Sequence, residues 1–377
     1  SLTANLNGSI PDSISSLTSL QVLDIQNSNL MGSIPNGISN LFQLYKLSLP
    51  NNNLTGSIPN GISKLFLLDS LDLSNNNLTG SISSGIRSLS KLTYLSLSNN
   101  RLTGSIPSTI FTNPKLTYLS LSNNALTGSI SSDINNLTQL SYLSLSDNAL
   151  TGSISTTIYW LPQLTYLSLS YNTLTGSISD EIYGLDQLSF LSLSNNRFTG
   201  SIPSYLFMLS QLAYLSLSNN NMKGYIPDRI SDFTQLTWLS LKNNQLTGSI
   251  PDGISVLVQL DYLCIQGNRL EGSIPSTLSR LINLMNLDLS SNSLTGPMFT
   301  NFAFLDGLTY LNLFDNNLSG EIPAEIGGLT RLKYFNTSGT NLTCPPDRTA
   351  CGVKQSPTTS FCRMCKTFCN TCTNQSA

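Results

Sequence analysis

The chain contains no histidine among its 377 residues, and only 10% of them are charged. Without histidine, the commonest general base and metal ligand is missing, which argues against an enzyme and against a metal site. The net charge of −2 is too weak to attract nucleic acid or an anionic membrane. No apolar run reaches the roughly 18 residues that a membrane span needs. We therefore predict a protein without catalysis or cofactor that works through its surface.

The acidic residues do not suggest a catalytic pair either. Asp24, Asp72, Asp261 and Asp288 are dispersed along the chain, although each lies on or beside an outward strand position. Such carboxylates are usually solvated or bonded to a local partner. We expect the same for these four.

Cysteine is nearly confined to the C-terminal end. An even cluster in a short polar segment favours a disulfide-stapled cap made in an oxidising compartment, and hence a secreted or cell-surface protein. A zinc site is the alternative, because two of the pairs are separated by two residues. The six residues are Cys344, Cys351, Cys362, Cys365, Cys369 and Cys372. The seventh cysteine, Cys264, either forms a bridge to another chain or to this segment, or packs as a small apolar residue.

Glycine recurs at every 24th position from Gly8 to Gly320, with no insertion or deletion. Repeats of about 20–29 residues with regularly spaced leucines are typical of a leucine-rich-repeat solenoid. In such an array each repeat contacts only its neighbours, so the core grows along one dimension. We predict one repeat domain over residues 1–343 and a cysteine-rich tail over 344–377.

One repeat, residues 92–115, shows how the pattern predicts the coil. Leu95 and Leu97 alternate with polar residues, which indicates a strand with its leucines inward. Ile106 and Ile110 continue the inner stripe at a spacing suited to a 3₁₀ or helical convex side. About six apolar side chains per coil, each contributing about 1.5–3 kcal/mol when buried, supply the stacking energy.

An asparagine follows each strand at one turn position. A buried amide without partners would cost about 1–3 kcal/mol, so we expect it to bond loop backbone of adjacent coils. The residues are Asn52, Asn76, Asn100, Asn124, Asn148, Asn172, Asn196, Asn220, Asn244, Asn268, Asn292 and Asn316.

The run LTGSIP, together with the pattern LxxLxLxxNxL, closely resembles the plant-type extracellular leucine-rich repeat over roughly residues 1–343. The resemblance implies an α/β repeat fold: a right-handed solenoid with a concave parallel β-sheet, a short second sheet at the Thr-Gly-Ser-Ile stretch, and a 3₁₀ or helical convex side. Members include receptor-kinase ectodomains, polygalacturonase inhibitors and a few ice-binding proteins. This chain departs from the pattern by lacking the N-terminal cysteine-paired cap and a following kinase domain, and by its longer cysteine tail. Its start at Ser1 fits a processed or incomplete sequence.

An aromatic row is predicted on the concave face, with a serine row beside it. These side chains would stand about 4.7–4.9 Å apart, either stacking on one another or forming a contact surface. The row comprises Tyr94, Tyr118, Tyr142, Tyr166, Phe190, Tyr214, Trp238 and Tyr262, and resumes at Tyr310 and Tyr334. The serines include Ser96, Ser120, Ser144, Ser168 and Ser192, and a further row runs through Ser98, Ser122 and Ser146.

A second hydroxyl ladder is predicted on the flank. It resembles the arrays of ice-binding solenoids, but TGSIP is also ordinary plant-repeat consensus. Its members are Thr79, Thr103, Thr127, Thr151, Thr175, Ser105, Ser129 and Ser153. Candidate N-glycosylation sites, permissive because Asn, Ser and Thr are abundant, are Asn7, Asn53, Asn77, Asn136, Asn317, Asn336, Asn341 and Asn374.

The sequence leads to one predicted function and leaves two alternatives open. The first is a secreted, glycosylated structural or adhesive scaffold of the cell surface or wall, assembling end to end into filaments through an uncapped N-terminal edge. The second is a monomer that binds a periodic ligand, polysaccharide or ice, through the ladders. The third is a receptor-like ectodomain that recognises a protein or peptide. Uniform rows favour a repeated partner, whereas a unique partner needs varied side chains.

Overall fold

A computed structural model describes residues 7–343, so the six clustered cysteines, Asn374 and the predicted tail domain lie outside the described residues. Contacts divide the chain into two compact units, one ending at Arg197 and the other beginning at Phe198, called here the N-terminal and C-terminal units. Both are built from the coils that the glycine spacing predicts, each with a strand and a 3₁₀ turn.

In each unit, every coil contributes one short strand to a parallel sheet, called here the main sheet. Neighbouring strands pair at equivalent repeat positions, so Tyr118 lies opposite both Tyr94 and Tyr142. The predicted parallel sheet is therefore confirmed. In the N-terminal unit the strands are Val22–Asp24, Lys46–Ser48, Ser70–Asp72, Tyr94–Ser96, Tyr118–Ser120, Tyr142–Ser144, Tyr166–Ser168 and Phe190–Ser192. In the C-terminal unit they are Tyr214–Ser216, Trp238–Ser240, Tyr262–Cys264, Asn286–Asp288, Tyr310–Asn312 and Tyr334–Asn336.

The short second sheet is also confirmed, in separate pieces. These flank strands are Gly8–Ser9, Leu30–Ser33, Asn53–Thr55, Thr79–Ser81, Arg101–Ser105, Ala125–Gly128 and Ala149–Leu150, then Thr295–Gly296, Asn317–Glu321 and Asn341–Thr343. Their register differs from that of the main sheet. Ser81 lies opposite Thr103, and Thr127 opposite both Ser105 and Ala149. Each flank strand is thus displaced by two residues relative to the 24-residue repeat.

The convex side consists of 3₁₀ segments, and residues 7–343 contain no α-helix. The predicted repeat fold is therefore confirmed, and of the two forms predicted for the convex side the described coils adopt the 3₁₀ one. Five-residue 3₁₀ turns suit the tight return that a short coil requires. They are Asp12–Ser16, Asn36–Asn40, Asn60–Lys64, Ser84–Ser88, Ser108–Thr112, Ser132–Asn136, Thr156–Trp160, Asp180–Gly184, Ser204–Met208, Asp228–Asp232, Asp252–Val256, Ser276–Arg280, Thr300–Phe304 and Ala324–Gly328.

The core follows the predicted inner stripe. Leu95, Leu97, Ile106 and Ile110 are all buried. Where Asn113 replaces the usual leucine it is buried too, and its Nδ2 donates to the carbonyls of Leu89 and Leu92 at 2.9 and 3.1 Å. An internal polar residue is tolerated there because it bonds the preceding coil.

The repeated asparagine bonds adjacent coils as predicted. Asn172 is buried, and its Nδ2 donates to the carbonyls of Leu145, Leu169 and Ser170 at 3.0–3.2 Å. Its Oδ1 accepts from the backbone N–H of Leu150 at 2.9 Å. Leu145 and Leu150 belong to the preceding coil, so one side chain satisfies backbone groups of two coils.

Two positions per coil adopt backbone conformations that explain their residue types. Gly104 has φ +77°, and a Cβ there would lie 3.4 Å from the Cβ of Ser81 in the preceding coil. Glycine is favoured because it carries neither the left-handed penalty nor the added atom. Asn99, just before the ladder residue, has φ +54°, a region that asparagine enters more readily than most residues. No helix within residues 7–343 is long and apolar enough to cross a bilayer.

Replacing Asn172 with alanine should destabilise the N-terminal unit by about 1–3 kcal/mol or more, because backbone groups of two coils lose their buried partner. Urea denaturation would measure the loss, and hydrogen exchange of the Leu150 amide would locate it. Asn135→Ala, at an exposed position, is the matched control and should change neither quantity. Unchanged Leu150 exchange in Asn172→Ala would contradict this role of the amide.

Candidate functional site

The aromatic row lies on one side of the main sheet, here called the aromatic face. In the N-terminal unit consecutive rings from Tyr94 to Phe190 stack with centroids 4.2–4.4 Å apart and planes within 9–11° of parallel. The predicted alignment of identical rungs is confirmed there. Each interior ring is covered on both faces by its neighbours, and the side chains are half-buried. The row therefore presents ring edges and hydroxyls to a ligand, not flat ring faces on which a sugar could stack.

The serine rows beside the aromatic row do not form the exposed array that the alternation predicts. Ser96 and Ser120 are each only 3% exposed, and Ser144, Ser168 and Ser192 are also buried. Serine hydroxyls within one strand bond each other instead, as Ser168 and Ser170 do at 3.2 Å. These serines lie on the outward face of the sheet, as predicted, but they are not exposed to solvent. Large aromatic side chains on the same face shield the small serine side chains.

Two tyrosines of the stack, Tyr94 and Tyr118, have raised pKa values that favour the neutral phenol. Burial, followed by the charges that Tyr142 and Tyr94 would carry, raises the pKa of Tyr118 above its ordinary value. Burial also raises the pKa of Tyr94, and the nearby Asp72 carboxylate adds to the effect. Ionising one phenol within the row would place charge in a partly desolvated stack.

The start of the N-terminal unit carries polar residues where the row would otherwise extend. Val22, Lys46 and Ser70 occupy the ring positions, and Lys46 Nζ contacts Asp24 Oδ2 at 2.8 Å. Asp72 accepts hydrogen bonds from the N–H and Oγ of Ser74 at 3.0 and 2.6 Å. The prediction that these carboxylates have local partners is confirmed for both.

The aromatic row of the C-terminal unit is interrupted. Trp238 and Tyr262 stack with centroids 3.5 Å apart, and Tyr310 and Tyr334 stack at 4.4 Å. Between the two pairs the ring position is occupied by Asn286, which lies opposite both Tyr262 and Tyr310 in the sheet. Asn286 Oδ1 is shielded from solvent and has no hydrogen-bond partner within the described residues. One ring is therefore missing, and the side chain at its position carries a carbonyl oxygen without a partner.

A buried carboxylate lies next to this interruption. Asp288 is only 7% exposed, so of the two predicted alternatives, a solvated carboxylate or one bonded to a local partner, the second holds for it. Its Oδ1 accepts from the N–H and Oγ of Ser290 at 3.0 and 2.6 Å. Its Oδ2 has only long contacts, 3.4 Å to Tyr310 Oη and 3.3 Å to Asn312 Nδ2. Burial and this carboxylate raise the pKa of Tyr310 to about 12.

No cation in the described chain pairs with Asp288. Across residues 7–343 the ion pairs are Lys46–Asp24 and Arg229–Asp232. A buried carboxylate normally gains a charged partner or several strong donors. Asp288 Oδ2 has neither, which leaves it able to accept a stronger hydrogen bond.

Cys264 lies opposite Asp288 in the sheet and is only 2% exposed. Burial raises the pKa of its thiol, which disfavours the reactive thiolate. Of the predicted alternatives, this burial favours a small side chain packed under the aromatic row over a bridge.

The flank hydroxyls are exposed but not aligned as predicted. Thr79, Thr103, Thr127, Thr151 and Thr175 are exposed, as are Ser105, Ser129 and Ser153. Because of the two-residue displacement, threonine lies opposite serine of the preceding coil, as Ser57–Thr79 and Ser153–Thr175 show. Neighbouring coils therefore pair threonine with serine in this sheet, and the binding role of the hydroxyl ladder stays a prediction.

The candidate glycosylation sites within the described residues remain predictions. Asn7, Asn53, Asn136, Asn317 and Asn341 are exposed, and Asn77 and Asn336 are partly buried. Asn336 Nδ2 already donates to Tyr334 Oη at 3.2 Å, so a glycan on that nitrogen would compete with this bond.

Models of the leucine-rich repeat match most of the chain. One matches residues 90–150, 138–198 and 191–246, and another matches 19–41, 43–65, 67–89, 259–281, 283–305 and 307–329. The comparison with curated proteins found no match.

Several solved structures have the same architecture. The plant peptide hormone receptor RGFR1, solved with RGF2, is 35% identical with a TM-score of 0.84, covering 90% of this chain and 58% of that one. The Arabidopsis receptor kinase HAESA, solved with the peptide hormone IDA and the co-receptor SERK1, is 36% identical with a TM-score of 0.82, covering 90% and 61%. A Leptospira interrogans leucine-rich-repeat protein is 29% identical with a TM-score of 0.73, covering 97% and 92%. This chain thus spans about three fifths of the two plant receptor structures.

Tyr118→Phe should make the stability less sensitive to alkaline pH. The unfolded chain ionises this tyrosine near pH 10, whereas the raised pKa keeps it protonated in the folded state. Its contribution is therefore complete below about pH 10 and is lost as pH rises toward the folded pKa. Urea denaturation at about pH 8 and about pH 11 should show a smaller decline for the variant. An equal decline in both proteins would contradict the buried, neutral phenol.

Proposed function

Because the chain belongs to the leucine-rich-repeat family, we propose that it is an extracellular recognition module that binds a peptide through the aromatic face of its C-terminal unit. Recognition by a surface suits a fold that supplies extended faces and a sequence without histidine. The similar receptors RGFR1 and HAESA, which were solved with peptide hormones, support a peptide as the class of ligand.

The observation that carries this proposal is the loss of uniformity on that face. In the N-terminal unit the ring and serine positions repeat almost unchanged from Tyr94 to Ser192. In the C-terminal unit the equivalent positions become Asn286, Asp288 and Asn312, and Phe314 follows with 40% exposure. A unique ligand requires a unique set of contacts, and only varied positions provide one.

The two other candidate functions have less support. Polysaccharide stacking needs free ring faces, which the N-terminal stack covers. Ice binding through the flank would use exposed threonines, but their rows are displaced between coils. None of the comparisons favours end-to-end assembly or adhesion, so the scaffold hypothesis is replaced by recognition.

Selection of binders from a library of random short peptides on the full chain should test the proposal. Phe314→Ala should weaken selected peptides about tenfold, within the range of an interface hot spot. Tyr171→Asn is the control, because Tyr171 is equally a large exposed side chain and asparagine occupies its position in other coils. Isothermal titration calorimetry measures both.

Two results would contradict peptide recognition. One is a library that yields no binder while the protein inhibits ice recrystallisation and Thr127→Arg abolishes that effect, which would assign a periodic ligand. The other is particles that lengthen with concentration in electron microscopy and bind no peptide, which would restore end-to-end assembly.

A further inference from the structure

The interruption of the aromatic row has the features of a site for one planar, charged group. We propose that the gap between Tyr262 and Tyr310 binds an arginine side chain of a ligand, with the guanidinium inserted between the two rings and paired with Asp288. The inference rests on the proposed recognition of a peptide and names the chemistry of one residue in it.

The spacing of the sheet gives the gap its width. Tyr262 and Tyr310 are on strands that flank the strand of Asn286. Two strand spacings amount to about 9.5 Å. A flat group in contact with two rings needs about 7–8 Å between them, at about 3.5–4.0 Å to each side. One planar group therefore completes the stack in place of the missing ring.

Two oxygens on the strand between the rings can accept further hydrogen bonds. Asn286 Oδ1 has no partner within residues 7–343, and Asp288 Oδ2 has only contacts of 3.3 and 3.4 Å. Both oxygens can accept hydrogen bonds, so a neutral aromatic ring from a ligand would leave them unsatisfied. The matching group must be flat, carry several N–H donors and be positively charged.

Among protein side chains, the guanidinium of arginine has all three properties. It presents five N–H donors in one plane, pairs with carboxylates and stacks on aromatic faces. Lysine could neutralise Asp288, but its ammonium is not planar and would not fill the gap. Histidine is smaller and, when neutral, supplies only one donor.

Entry of the guanidinium requires a small rearrangement. Asp288 and Asn286 Oδ1 are shielded, and Tyr310 Oη contacts Asp288 Oδ2 at 3.4 Å. That contact is longer than a good O–H···O⁻ bond of about 2.5–2.7 Å. Displacing it costs little compared with the charge-assisted bond that replaces it. Trp238 stacks on the face of Tyr262 that points away from the gap, with ring centroids 3.5 Å apart.

Trp238 also provides a reporter for the experiment. The sequence has two tryptophans, Trp160 and Trp238, so the full chain with Trp160→Phe emits from Trp238 alone. We would titrate it with the peptide Ac-Gly-Arg-Gly-NH₂, with the neutral, isosteric citrulline peptide, and with the lysine peptide. Saturable binding of the arginine peptide, at least tenfold tighter than either analogue, is expected, equivalent to about 1.4 kcal/mol.

Three variants in the Trp160→Phe background locate the site. Asp288→Asn should weaken the arginine peptide at least tenfold. Asn286→Tyr supplies the missing ring and should abolish binding while raising the midpoint of urea denaturation, because it completes the stack and removes an unpaired carbonyl. Ser70→Tyr, which adds a ring beside Tyr94 in the N-terminal unit, is the matched control and should leave binding unchanged.

The inference is overturned if the arginine peptide gives no saturable response, if citrulline binds equally well, or if Asn286→Tyr binds as tightly as the parent. The outcome is separable from that of the proposed function. Library peptides whose binding depends on Phe314 but not on Asn286 or Asp288 would support peptide recognition and reject the arginine site. If the arginine peptide binds in the gap but the library yields no binder, the arginine site is supported and the proposed peptide recognition is rejected.

Discussion

The amide of the repeated asparagine fixes each coil against the one before it. Asn76 donates to the carbonyl of Leu49 at 2.9 Å and accepts from the N–H of Leu54 at 3.0 Å, both in the preceding coil. Such directional bonds tolerate little sliding, so the coils keep one register through the main sheet. The aligned strands, and with them the stacked rings, follow from that register.

Where the aromatic row is in perfect register, its side chains make most of their interactions with one another. Tyr118 and Tyr142 cover each other's faces, and the serines beneath them bond each other. Such a surface has few unmet interactions to offer a ligand. Unmet groups occur where the repeat fails: within residues 7–343, Asp24 Oδ1 and Asn286 Oδ1 are shielded without a partner, and Asp288 Oδ2 lacks a good donor. Regular coils therefore stabilise the fold, and the irregular coil carries the unsatisfied groups on which the proposed recognition rests.

Much of this fold could be predicted from the sequence, because the same 24-residue pattern recurs in every coil. The pattern of a single repeat is enough to predict that Leu95 is buried and that the Asn172 amide bonds the backbone of the neighbouring coil. The burial of Ser96 could not be predicted in this way. The alternation of residues indicates the direction in which a side chain points, but not which neighbouring side chains cover it. The two-residue displacement of the flank strands could not be predicted either, because the path of the chain between the two sheets depends on turn geometry that residue spacing does not specify.

The site at Asp288 was missed for a related reason. Its partners Asn312 and Tyr310 lie a full coil away in the chain, so the carboxylate looked isolated. The available signal was the joint change of neighbouring rows: the ring lost at Asn286 coincides with serine positions that become Asp288 and Asn312. Comparing equivalent repeat positions between coils, instead of neighbouring residues along the chain, would have identified the site at Asp288.

The low charge of the chain determines how such a site would work. With a net charge of −2, long-range attraction contributes little to the rate of encounter. Affinity must then come from contacts made after docking, and differences between ligands will appear mainly in dissociation rates. A carboxylate that is 7% exposed suits this regime, because salt screens a buried pair far less than a surface one. Discrimination at Asp288 should thus persist at the ionic strength of an extracellular fluid, where weak surface charges are screened.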